Sequence, residues 1–295
     1  QHEGFRQVGV QPRHIQRLSR RYGRVWIPKV GWVRFRWTRA IAGTVKSYRV
    51  TLDRSGRWHS AFAVIPEPVA GPSDGSVVGI DRGVAVTVAL STGELLCVPG
   101  LSGGEAKRLR RLQRRLARAR CGSGRRARTK LAIARLRARE ADRRRDWVEK
   151  TSTEVARRFD TIRVEDLKVR AMTRSARGTR QCPGTNVAQK RGLNRQISRQ
   201  GWGMLVTRLQ HKAAGRLERV SAAFTSQRCS DCGHVAPENR KSQAVFCCVA
   251  CGAGPCNADV NAARNIAAGR SVTARGDLGA SRSANREPQL CSPAV

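Results

Sequence analysis

The first part of the chain alternates apolar with basic or polar residues, a period of two that is typical of short strands. The stretch VGWVRFRW alternates from Val33 to Trp37, and TVKSYRVTLDRSGRWHSAFAVI has the pattern of a hairpin with its turn at 53–56. We therefore predict a half-buried antiparallel sheet or small barrel over residues 29–70, with Arg and Lys on its open face. Residues 66–75, PEPVAGPSDG, are predicted to be a linker.

A long apolar run follows in residues 76–90, SVVGIDRGVAVTVAL, and is typical of a buried strand. Asp81 lies in the middle of this predicted strand. A buried carboxylate without a partner is strongly disfavoured, so either another group compensates Asp81 or the carboxylate binds a metal ion. A second strand is predicted through Leu95 to Val98.

Residues 105–150 predict a basic helical hairpin. Leu109, Leu112 and Leu116 keep a helical spacing, and CGSG at 121–124 separates two helices. The segment has 19 Lys and Arg against 5 acids. A charge run is usually a solvated surface, but two adjacent helices with so few counter-charges repel each other unless phosphates neutralise them. We therefore favour a nucleic-acid contact here.

The candidate nucleic-acid-binding residues are basic side chains of this hairpin and one of a later loop: Arg110, Arg111, Arg114, Arg115, Arg118, Lys130 and Arg174.

The second half of the chain returns to a globular pattern. The stretch DWVEKTSTEVARRFDTIRVEDL predicts a helix and then a strand, in which Ile162 and Val164 share one face and Arg163 and Glu165 the other. Residues 171–192 are polar and contain Gly, which predicts a loop that stays mobile without nucleic acid.

Two further helices are predicted near the end of the chain. Residues 193–216 carry Trp202 and Leu205 at helical spacing. The stretch NADVNAARNIAAG predicts a short helix that begins after Asn257 and ends at Gly269. The tail beyond Gly269, rich in Ser, Ala, Gly and Arg, is predicted to be disordered.

Charge narrows the class of protein. The 295 residues include 58 Lys and Arg against 21 acids, a net charge of +37, which indicates a long polyanion as partner. A membrane-surface protein would concentrate its charge on one amphipathic helix, whereas here the charge runs along most of the chain. No apolar run approaches the length of a membrane span and no signal-peptide core is present. We expect a nucleic-acid-binding protein with no membrane partner, cytoplasmic or bound to the nucleoid.

Four cysteines predict a structural zinc site. Cys229 and Cys232 form one CxxC pair, Cys248 and Cys251 form another, and 15 residues separate the two pairs. Two such turns present four thiolates to one ion and complete a closed tetrahedral site, which has no open position for catalysis. Cys247 could compete as a ligand, but Cys248 has the CxxC spacing. The remaining cysteines are expected to be free thiols: Cys97, Cys121, Cys182, Cys256 and Cys291.

Three acids are candidates for a second, hydrolytic metal site. Asp81 lies in the apolar run, Glu165 at the end of the strand TIRVE, and Asp259 in the first turn of the last predicted helix. Acids at strand ends and at a helix start can converge and hold Mg²⁺, which prefers oxygen ligands to thiolates. For each acid, a surface carboxylate or a helix-end charge is the competing interpretation. Asp166 is the alternative candidate to Glu165 for the second acid, but successive residues of a strand point to opposite faces, which places Asp166 on the face opposite Glu165.

Four motifs, GIDRGV, IRVEDL, TSQRCSDCGHVAPENRKSQAVFCCVACG and NADVNAARNI, occur in this order and resemble those of the TnpB proteins (OrfB family) of bacterial insertion sequences. These proteins are relatives of the type V CRISPR effector nucleases, and the resemblance covers residues 25–285. It implies an α/β fold, namely a split RNase H-like (RuvC) nuclease domain with a zinc-ribbon insert, preceded by a small β-barrel (wedge) domain. It also implies a transposon-encoded, RNA-guided DNA endonuclease that cleaves by two-metal, Mg²⁺-dependent hydrolysis.

By the same resemblance, Asp81 matches the first catalytic acid, Glu165 the second and Asp259 the third, all three being Mg²⁺ ligands. Asn261 matches a supporting residue in the last motif. Cys229 and the three other cysteines of the CxxC pairs match the structural Zn²⁺ ligands. The implied partners are DNA and a guide RNA from the transposon end, with the basic hairpin lying along the guide–target heteroduplex.

The resemblance also divides the chain. The implied segments are a remnant of a helical recognition lobe (1–28), a wedge β-barrel (29–70), a first RuvC-like segment (71–101), the basic hairpin (102–150), a second RuvC-like segment (151–223, with the mobile loop 171–192), the zinc ribbon (224–254), a third RuvC-like segment (255–270) and a disordered tail (271–295).

Relatives usually carry about a hundred more residues at the N-terminus, so this chain is expected to be N-terminally truncated. Two small length differences, before the zinc site and before Asp259, accompany this departure. These departures leave two alternative functions open: a catalytically inactive remnant that binds guide RNA or DNA, or a transposase accessory DNA-binding protein. A transposase that uses a nucleophilic Tyr is disfavoured, because the sequence has no His-hydrophobic-His motif and its tyrosines are Tyr22 and Tyr48.

Overall fold

The computed structural model describes residues 4–8, 11–41 and 43–269. The predicted disordered tail 271–295 lies outside the described residues. The chain divides into two compact units, one made of residues up to Val69 with Pro99–Trp147, the other of Ala70–Val98 with the residues from Val148 onward. None of the helices in the described part is long and apolar enough to cross a membrane.

Six strands of the first unit form two three-stranded antiparallel sheets. The strands are β1 (Gly4–Val8), β2 (Ile15–Arg17), β3 (Tyr22–Ile27), β4 (Gly31–Arg36), β5 (Ser47–Leu52) and β6 (Trp58–Ala63). One sheet has the order β1-β5-β6 and the other β2-β3-β4. Val25 and Ile27 of β3 pack with Tyr48 and Val50 of β5, so the two sheets share a hydrophobic core.

This arrangement corrects two expectations. The prediction of a helical remnant over 1–28 is wrong for the described residues, because alternation continues through YGRVWI and β3 pairs along its length with β4. The residue range predicted for the barrel, 29–70, is also too short, because β1 pairs with β5 and is part of the same sheet. The six strands form two separate sheets among the described residues instead of one closed barrel.

The basic hairpin is formed by α1 (Gly103–Arg118) and the first half of α2 (Gly124–Arg158). Ser102 and Glu105 make a capping box at the start of α1, and Glu105 also pairs with Arg143 of α2 at 2.6 Å. Arg126 closes the other end of α1, donating from Nη1 to the carbonyl oxygens of Leu116 and Ala119. These contacts satisfy backbone groups that a helix end leaves free, and the predicted break at 121–124 is confirmed.

The second unit is built on a five-stranded sheet with the order β11-β10-β7-β8-β9. Its strands are β7 (Val77–Asp81), β8 (Val88–Leu90), β9 (Leu95–Leu96), β10 (Thr161–Glu165) and β11 (Leu217–Val220). Strands β7, β10 and β11 run parallel, and β8 and β9 continue the sheet antiparallel. The accompanying helices are α3 (Val169–Met172), α4 (Val187–Gln200), α5 (Trp202–Lys212) and α6 (Ala258–Ala267). A short pair, β12 (Val245–Phe246) and β13 (Cys256–Asn257), precedes α6.

The structure corrects three predicted elements of this unit. The apolar run 76–90 is two strands, because the chain reverses after Asp81 and β8 pairs antiparallel with β7. The predicted helix over 193–216 is two helices separated at Gly201, whose φ of 76° ends α4. The predicted loop 171–192 is shorter, since α4 already begins at Val187.

Candidate active site and metal centre

The parallel pairing of β7 and β10 brings two of the predicted acids to one edge of the sheet. Val164 is in register with Ile80, so Glu165 and Asp81 are the next residues on adjacent parallel strands. Both strands end at these positions, and the carboxyl ends of parallel strands meet at the same sheet edge. Asp81 is therefore the last residue of its strand and not an interruption within it.

Helix α6 delivers the third acid to the same place. The side chain of Asn257 accepts hydrogen bonds from the backbone N–H groups of Asp259 and Val260, which fixes the start of the helix. Gly79 lets α6 lie directly on β7, since a Cβ at this position would overlap the backbone of Ala263. At the other end of the contact, a Cβ on Gly83 would lie 3.9 Å from Asp259 Oδ2. Asp259 therefore lies beside the turn that follows Asp81.

The pKa values of all three carboxylates are raised, and that of Asp81 is also raised by its two acidic neighbours. Burial, followed by the charges of Glu165 and Asp259, raises the pKa of Asp81 to about 7. Burial also raises the pKa of Glu165, opposed by a hydrogen bond from Thr225. Burial raises the pKa of Asp259, and Arg240 opposes it. Each acid is thus held in a setting that disfavours its negative charge, which is the condition that a bound cation would relieve.

Three residues that the sequence analysis did not single out touch this cluster. Thr225 donates from Oγ1 to Glu165 Oε1 at 2.7 Å, and both side chains are buried. The Arg82 guanidinium donates to the carbonyl oxygen of Glu165. Arg240 Nη2 donates to Asp259 Oδ1 at 3.4 Å. Arg82 could have been found as the neighbour of Asp81, and Thr225 and Arg240 lie in the quoted motif around the cysteines, but no local pattern links them to the acids.

Asp166, the rival of Glu165, lies outside the cluster. Its side chain is half exposed and pairs with Arg219 on the neighbouring strand at 3.2 Å. Glu165 is thus the buried last residue of β10, whereas Asp166 lies just beyond the strand and is exposed.

The four predicted cysteines come together in one cluster. The Sγ atoms of Cys229, Cys232, Cys248 and Cys251 lie within 4.8 Å of one another. Cys229 Sγ is 3.8 Å from Cys251 Sγ, and Cys232 Sγ is 3.6 Å from Cys248 Sγ. Sulfurs bound to a tetrahedral zinc at about 2.3 Å are about 3.8 Å apart, so these distances fit the ion. This four-cysteine cluster could bind zinc.

Among the four cysteines, the surroundings of Cys248 favour the thiolate, whereas burial raises the pKa of Cys229 and contacts with neighbouring thiols raise that of Cys251. Backbone N–H groups, first that of Cys251 and also that of Ala250, donate to the sulfur of Cys248 and lower its pKa to about 6. The thiolate is the form that ligates a metal. Cys247 is not part of the cluster, although it adjoins Cys248. Among the described residues, no disulfide joins the cysteines outside the cluster, and Cys291 lies outside the described residues.

Asn261 and Asn265 attach the four-cysteine cluster to α6. The buried Asn261 accepts from the backbone N–H of Ser230 at 3.0 Å and donates to the carbonyl oxygen of Arg228 at 2.7 Å. Asn265 donates to the same carbonyl and to that of Thr225. The helix that carries Asp259 is thus tied to the first CxxC turn, which fits a supporting function for Asn261.

The acids are spread more widely than the cysteines. Among the described residues, the four-cysteine cluster is the group of His, Cys, Asp and Glu in which all ligand atoms lie within 4.8 Å of one another. Asp81, Glu165 and Asp259 converge on one edge of the sheet, but they do not form such a compact set.

The predicted nucleic-acid-binding residues are all exposed: Arg110, Arg111, Arg114, Arg115, Arg118, Lys130 and Arg174. Four of them line a cleft of about 720 Å³ at the tip of the hairpin, together with Arg120 and Arg125. Six guanidinium groups around one cleft form a strongly positive surface, which suits an anionic partner.

Comparison with known proteins gives two matching families. Residues 59–176 match the OrfB_IS605 family, described as "Probable transposase", and residues 202–266 match the family described as "Cas12f1-like, TNB domain". The second match contains all four cysteines of the cluster and Asp259.

Three relatives are similar over most of the chain. "Putative RNA-guided DNA endonuclease InsQ" of Escherichia coli (strain K12) is 41% identical, over 89% of this chain and 66% of that protein. "Putative RNA-guided DNA endonuclease" of Streptomyces pristinaespiralis is 34% identical, over 82% of this chain and 58% of that protein. "CRISPR-associated endodeoxyribonuclease Cas12f1" of Sulfoacidibacillus thermotolerans is 32% identical, over 73% of this chain and 51% of that protein.

The match thus spans between half and two thirds of the length of these relatives. The two family matches together contain the sheet edge with Asp81 and Glu165, the four-cysteine cluster and most of α6. The chain belongs to the OrfB family of insertion-sequence proteins, the TnpB proteins.

Proposed function

We propose that this chain is a transposon-encoded, RNA-guided DNA endonuclease whose second unit is a split RNase H-like (RuvC) nuclease with a zinc-ribbon insert. The observation that carries the proposal is the convergence of Asp81, Glu165 and Asp259, each with a raised pKa, in a chain whose net charge is +37. In a strongly basic protein, one buried and two half-buried acids at the same sheet edge indicate a site that uses their negative charge. The names of its relatives support a nuclease as that use.

Mg²⁺ fits the donor set of the three acids. All three offer carboxylate oxygens, the ligands that Mg²⁺ prefers, and the four-cysteine cluster lies on separate elements. The three acids are proposed to hold two ions, as the two-metal mechanism of phosphodiester hydrolysis requires. Bound there, Mg²⁺ would activate a water molecule for attack on a phosphodiester and stabilise the leaving 3′ oxygen.

The residues of the chain contribute orientation and charge balance. Thr225 fixes one carboxylate oxygen of Glu165 through its 2.7 Å hydrogen bond. Arg240 partly offsets the charge of Asp259, so α6 can present this carboxylate at the sheet edge without a full countercharge. For Asp81, the charge of Arg240 and a backbone hydrogen bond from Arg82 oppose the raised pKa, but burial and the two neighbouring carboxylates outweigh them.

The zinc ribbon is proposed to be structural. Four thiolates close the coordination of a tetrahedral zinc and leave no open position. Its function would be to hold the loop that carries Arg240 and the CxxC turn that Asn261 binds. The basic hairpin is proposed to contact the phosphates of a guide RNA–DNA heteroduplex, while base pairing selects the sequence.

The experiment is metal-dependent cleavage by protein co-expressed with the RNA encoded at the flanking transposon end. Sequencing the RNA that co-purifies gives the guide, and matched DNA is then offered as single and as double strands. The variants are Asp81→Asn, Glu165→Gln and Asp259→Asn, and the control is Asp166→Asn, the exposed neighbour of Glu165.

We expect Mg²⁺-dependent cleavage that Asp166→Asn retains and that each of the other three variants lacks, with RNA binding preserved in all four. Cleavage that survives the three substitutions would remove the acids from the mechanism. If RNA co-purifies but neither single-stranded nor double-stranded DNA is cleaved, the chain is instead a catalytically inactive remnant that binds RNA.

A further inference from the structure

One aromatic ring of the second unit lies outside its core. The unit has four aromatic residues, of which Phe159, Trp202 and Phe246 are buried. The fourth, Phe224, is 43% exposed. A phenyl ring at the surface gains only part of the stabilisation that burial of apolar area provides. Core packing therefore does not account for an aromatic residue at this position.

The backbone at Phe224 is also strained. Its φ is 60°, in the left-handed region that a bulky side chain rarely adopts. The other non-glycine residues with positive φ in the described part of the chain are Lys29, Ser73 and Asn186, which are all polar. Strain of this kind persists only where surrounding contacts fix it, and it is concentrated at functional sites. Phe224 thus combines exposure and strain, two features that each lower the stability of a fold.

Contacts on the C-terminal side of Phe224 fix this conformation. Its carbonyl oxygen accepts from the backbone N–H groups of Gln227 at 3.0 Å and Arg228 at 2.9 Å. The next residue, Thr225, is buried, and Asn265 of α6 donates to its carbonyl oxygen at 3.0 Å. The backbone that carries the ring is therefore ordered before a ligand binds, which lowers the entropic cost of binding.

The same contacts keep the ring close to the three acids. Thr225 Oγ1 donates to Glu165 Oε1 at 2.7 Å. Because consecutive Cα atoms are about 3.8 Å apart, the path from the phenyl ring through Thr225 limits the distance between the ring centre and this carboxylate oxygen to about 12 Å. Phosphates repeat about every 3.4 Å along a stacked strand. The ring of Phe224 thus lies within a few nucleotides of a phosphodiester held at the acids.

The chemistry of the ring selects its ligand. A phenyl ring has a flat apolar face with no charge and no hydrogen-bonding group, and it stacks on the face of an unpaired nucleobase. A base-paired duplex hides these faces within its own stack, so the ring fits a strand that is unpaired at this point. The net charge of +37 already attracts the phosphates of such a strand. The separate contribution of the ring is therefore a contact to a base.

We propose that Phe224 stacks on an unpaired base of the DNA strand that is cut, and so positions the scissile phosphodiester at Asp81, Glu165 and Asp259. This inference rests on the proposed function, which makes a DNA strand the substrate. Because every base has a face for stacking, the contact adds affinity without selecting a sequence. The strained backbone then has a function, which is to present the ring to the substrate.

The first test is photochemical crosslinking in the Asp81→Asn background, where no cleavage is needed. Single-stranded DNA in which 5-iodouracil replaces thymine is bound to the full chain and irradiated. Tryptic digestion releases Phe224 in the peptide 220–228, which has no other aromatic residue and which mass spectrometry can identify. We expect a crosslink in this peptide and none at the buried Trp202.

Cleavage kinetics then test whether the ring and a base act together. In single turnover, Phe224→Ala should cleave at least about fivefold more slowly, which is the lower limit for loss of a base–ring contact. Phe224→Trp keeps a ring and should retain most of the rate. An abasic site near the cut should slow the unsubstituted protein by a similar factor but have little further effect on Phe224→Ala, since the contact is already lost.

Val77→Ala is the matched control for these kinetics. Val77 is 40% exposed and lies at the opposite end of β7 from Asp81. This variant should cleave at the normal rate and should be slowed by the abasic site as the unsubstituted protein is.

Stability distinguishes a ring that binds a ligand from a ring that packs in the fold. Asparagine tolerates the left-handed region better than phenylalanine does. Phe224→Asn should therefore unfold at the same temperature as the unsubstituted protein or above it, although it cleaves as slowly as Phe224→Ala. A clearly lower Tm would show that the ring stabilises the fold and would overturn the inference.

Three other results would also overturn it. The absence of a crosslink in the peptide 220–228 would show that the ring does not contact a base. An abasic site that slows Phe224→Ala as much as the unsubstituted protein would show the same. Stronger crosslinking of single-stranded RNA of the same sequence would make RNA the occupant. Crosslinking is measured without cleavage, so a chain that crosslinks through Phe224 but cuts no DNA would refute the nuclease proposal and leave the contact between ring and base.

Discussion

Arg240 Nη2 lies 3.4 Å from Asp259 Oδ1, and this contact joins the loop of the four-cysteine cluster to the acid that α6 contributes. The two residues are separated by 19 positions that include β12, β13 and the second CxxC pair. The guanidinium is also anchored within its own loop, donating to the carbonyl oxygens of Ser242 and Gln243. The cysteine cluster and the carboxylate cluster are therefore mechanically connected.

Replacing Arg240 should impair cleavage more than folding. Arg240 lowers the pKa of Asp259 and donates a hydrogen bond to its carboxylate. The Arg240→Ala variant lacks both effects, so the pKa of Asp259 should rise further. We expect single-turnover cleavage to slow by about 10- to 100-fold, as when groups around a metal site are removed. Arg219→Ala, which removes the partner of the exposed Asp166, is the matched control and should cleave normally. Equal rates in the two variants would mean that the Arg240 contact has no function in catalysis.

Loss of one zinc ligand should disturb both clusters. Cys232→Ser removes one thiolate of the four-cysteine cluster, so zinc binding weakens and the turn held by Asn261 loosens. We expect less than one zinc per chain by atomic absorption, a Tm lower by more than about 5 °C, and reduced cleavage. Cys97→Ser changes an exposed thiol outside the cluster and should leave all three values unchanged. Full zinc content and an unchanged Tm in Cys232→Ser would contradict the structural assignment.

Asn261 should contribute to stability through two buried hydrogen bonds. Asn261→Ala leaves the N–H of Ser230 and the carbonyl oxygen of Arg228 without this partner. We expect a loss of about 2–4 kcal/mol in the free energy of unfolding, measured by urea denaturation. Asn194→Ala serves as the control, because Asn194 also donates to backbone carbonyls but is only half-buried, and one of its two hydrogen bonds is exposed. A change below about 1 kcal/mol would show that the α6 attachment does not depend on Asn261.

Gly79 should be intolerant of even a methyl group. A Cβ there would overlap the carbonyl oxygen of Ala263 and the amide nitrogen of Ala267, so Gly79→Ala would push α6 away from β7. Both stability and cleavage should fall, because α6 carries Asp259. Gly104→Ala, at a helical position with open space around it, is the control for the substitution itself. Normal unfolding and cleavage in Gly79→Ala would mean that the helix accommodates the group without moving Asp259.

The metal-free protein should lose stability as pH rises. The pKa of Asp81 is about 7 in the folded chain and 3.8 is its ordinary value, so between these values the folded state holds a proton that the unfolded state releases. Stability falls with pH wherever the folded state binds more protons, so the free energy of unfolding in EDTA should decline between about pH 4 and pH 7.

Two comparisons check this pH dependence. Asp81→Asn cannot release the proton and should show a flatter profile with greater stability at pH 8. Adding Mg²⁺ to the unsubstituted protein should restore stability at high pH, because the cation favours the ionised carboxylates. A profile that is the same for both proteins would exclude Asp81 as the titrating group.

The sequence by itself determined the elements whose cause is local. The CxxC spacing specified the four cysteines that meet, because each pair is a short turn that needs no distant contact to form. The period of the leucines and the CGSG break specified the hairpin, and Asn257 and Gly269 marked the ends of α6 closely. Alternation in TIRVE also separated Glu165 from Asp166.

Only the tertiary structure decided which of these elements meet. The apolar run around Asp81 fits one strand or two, and the reversal into β8 is settled by pairing with β7. For the described residues of 1–28 the predicted helical class is wrong, because the strands there are stabilised by partners such as β4 and β5 elsewhere in the chain. Thr225 and Arg240 reach the acids across 60 and 19 positions, so no local pattern could identify them. Local periodicity reports which face of an element is buried, whereas contacts between distant segments depend on how the whole chain packs.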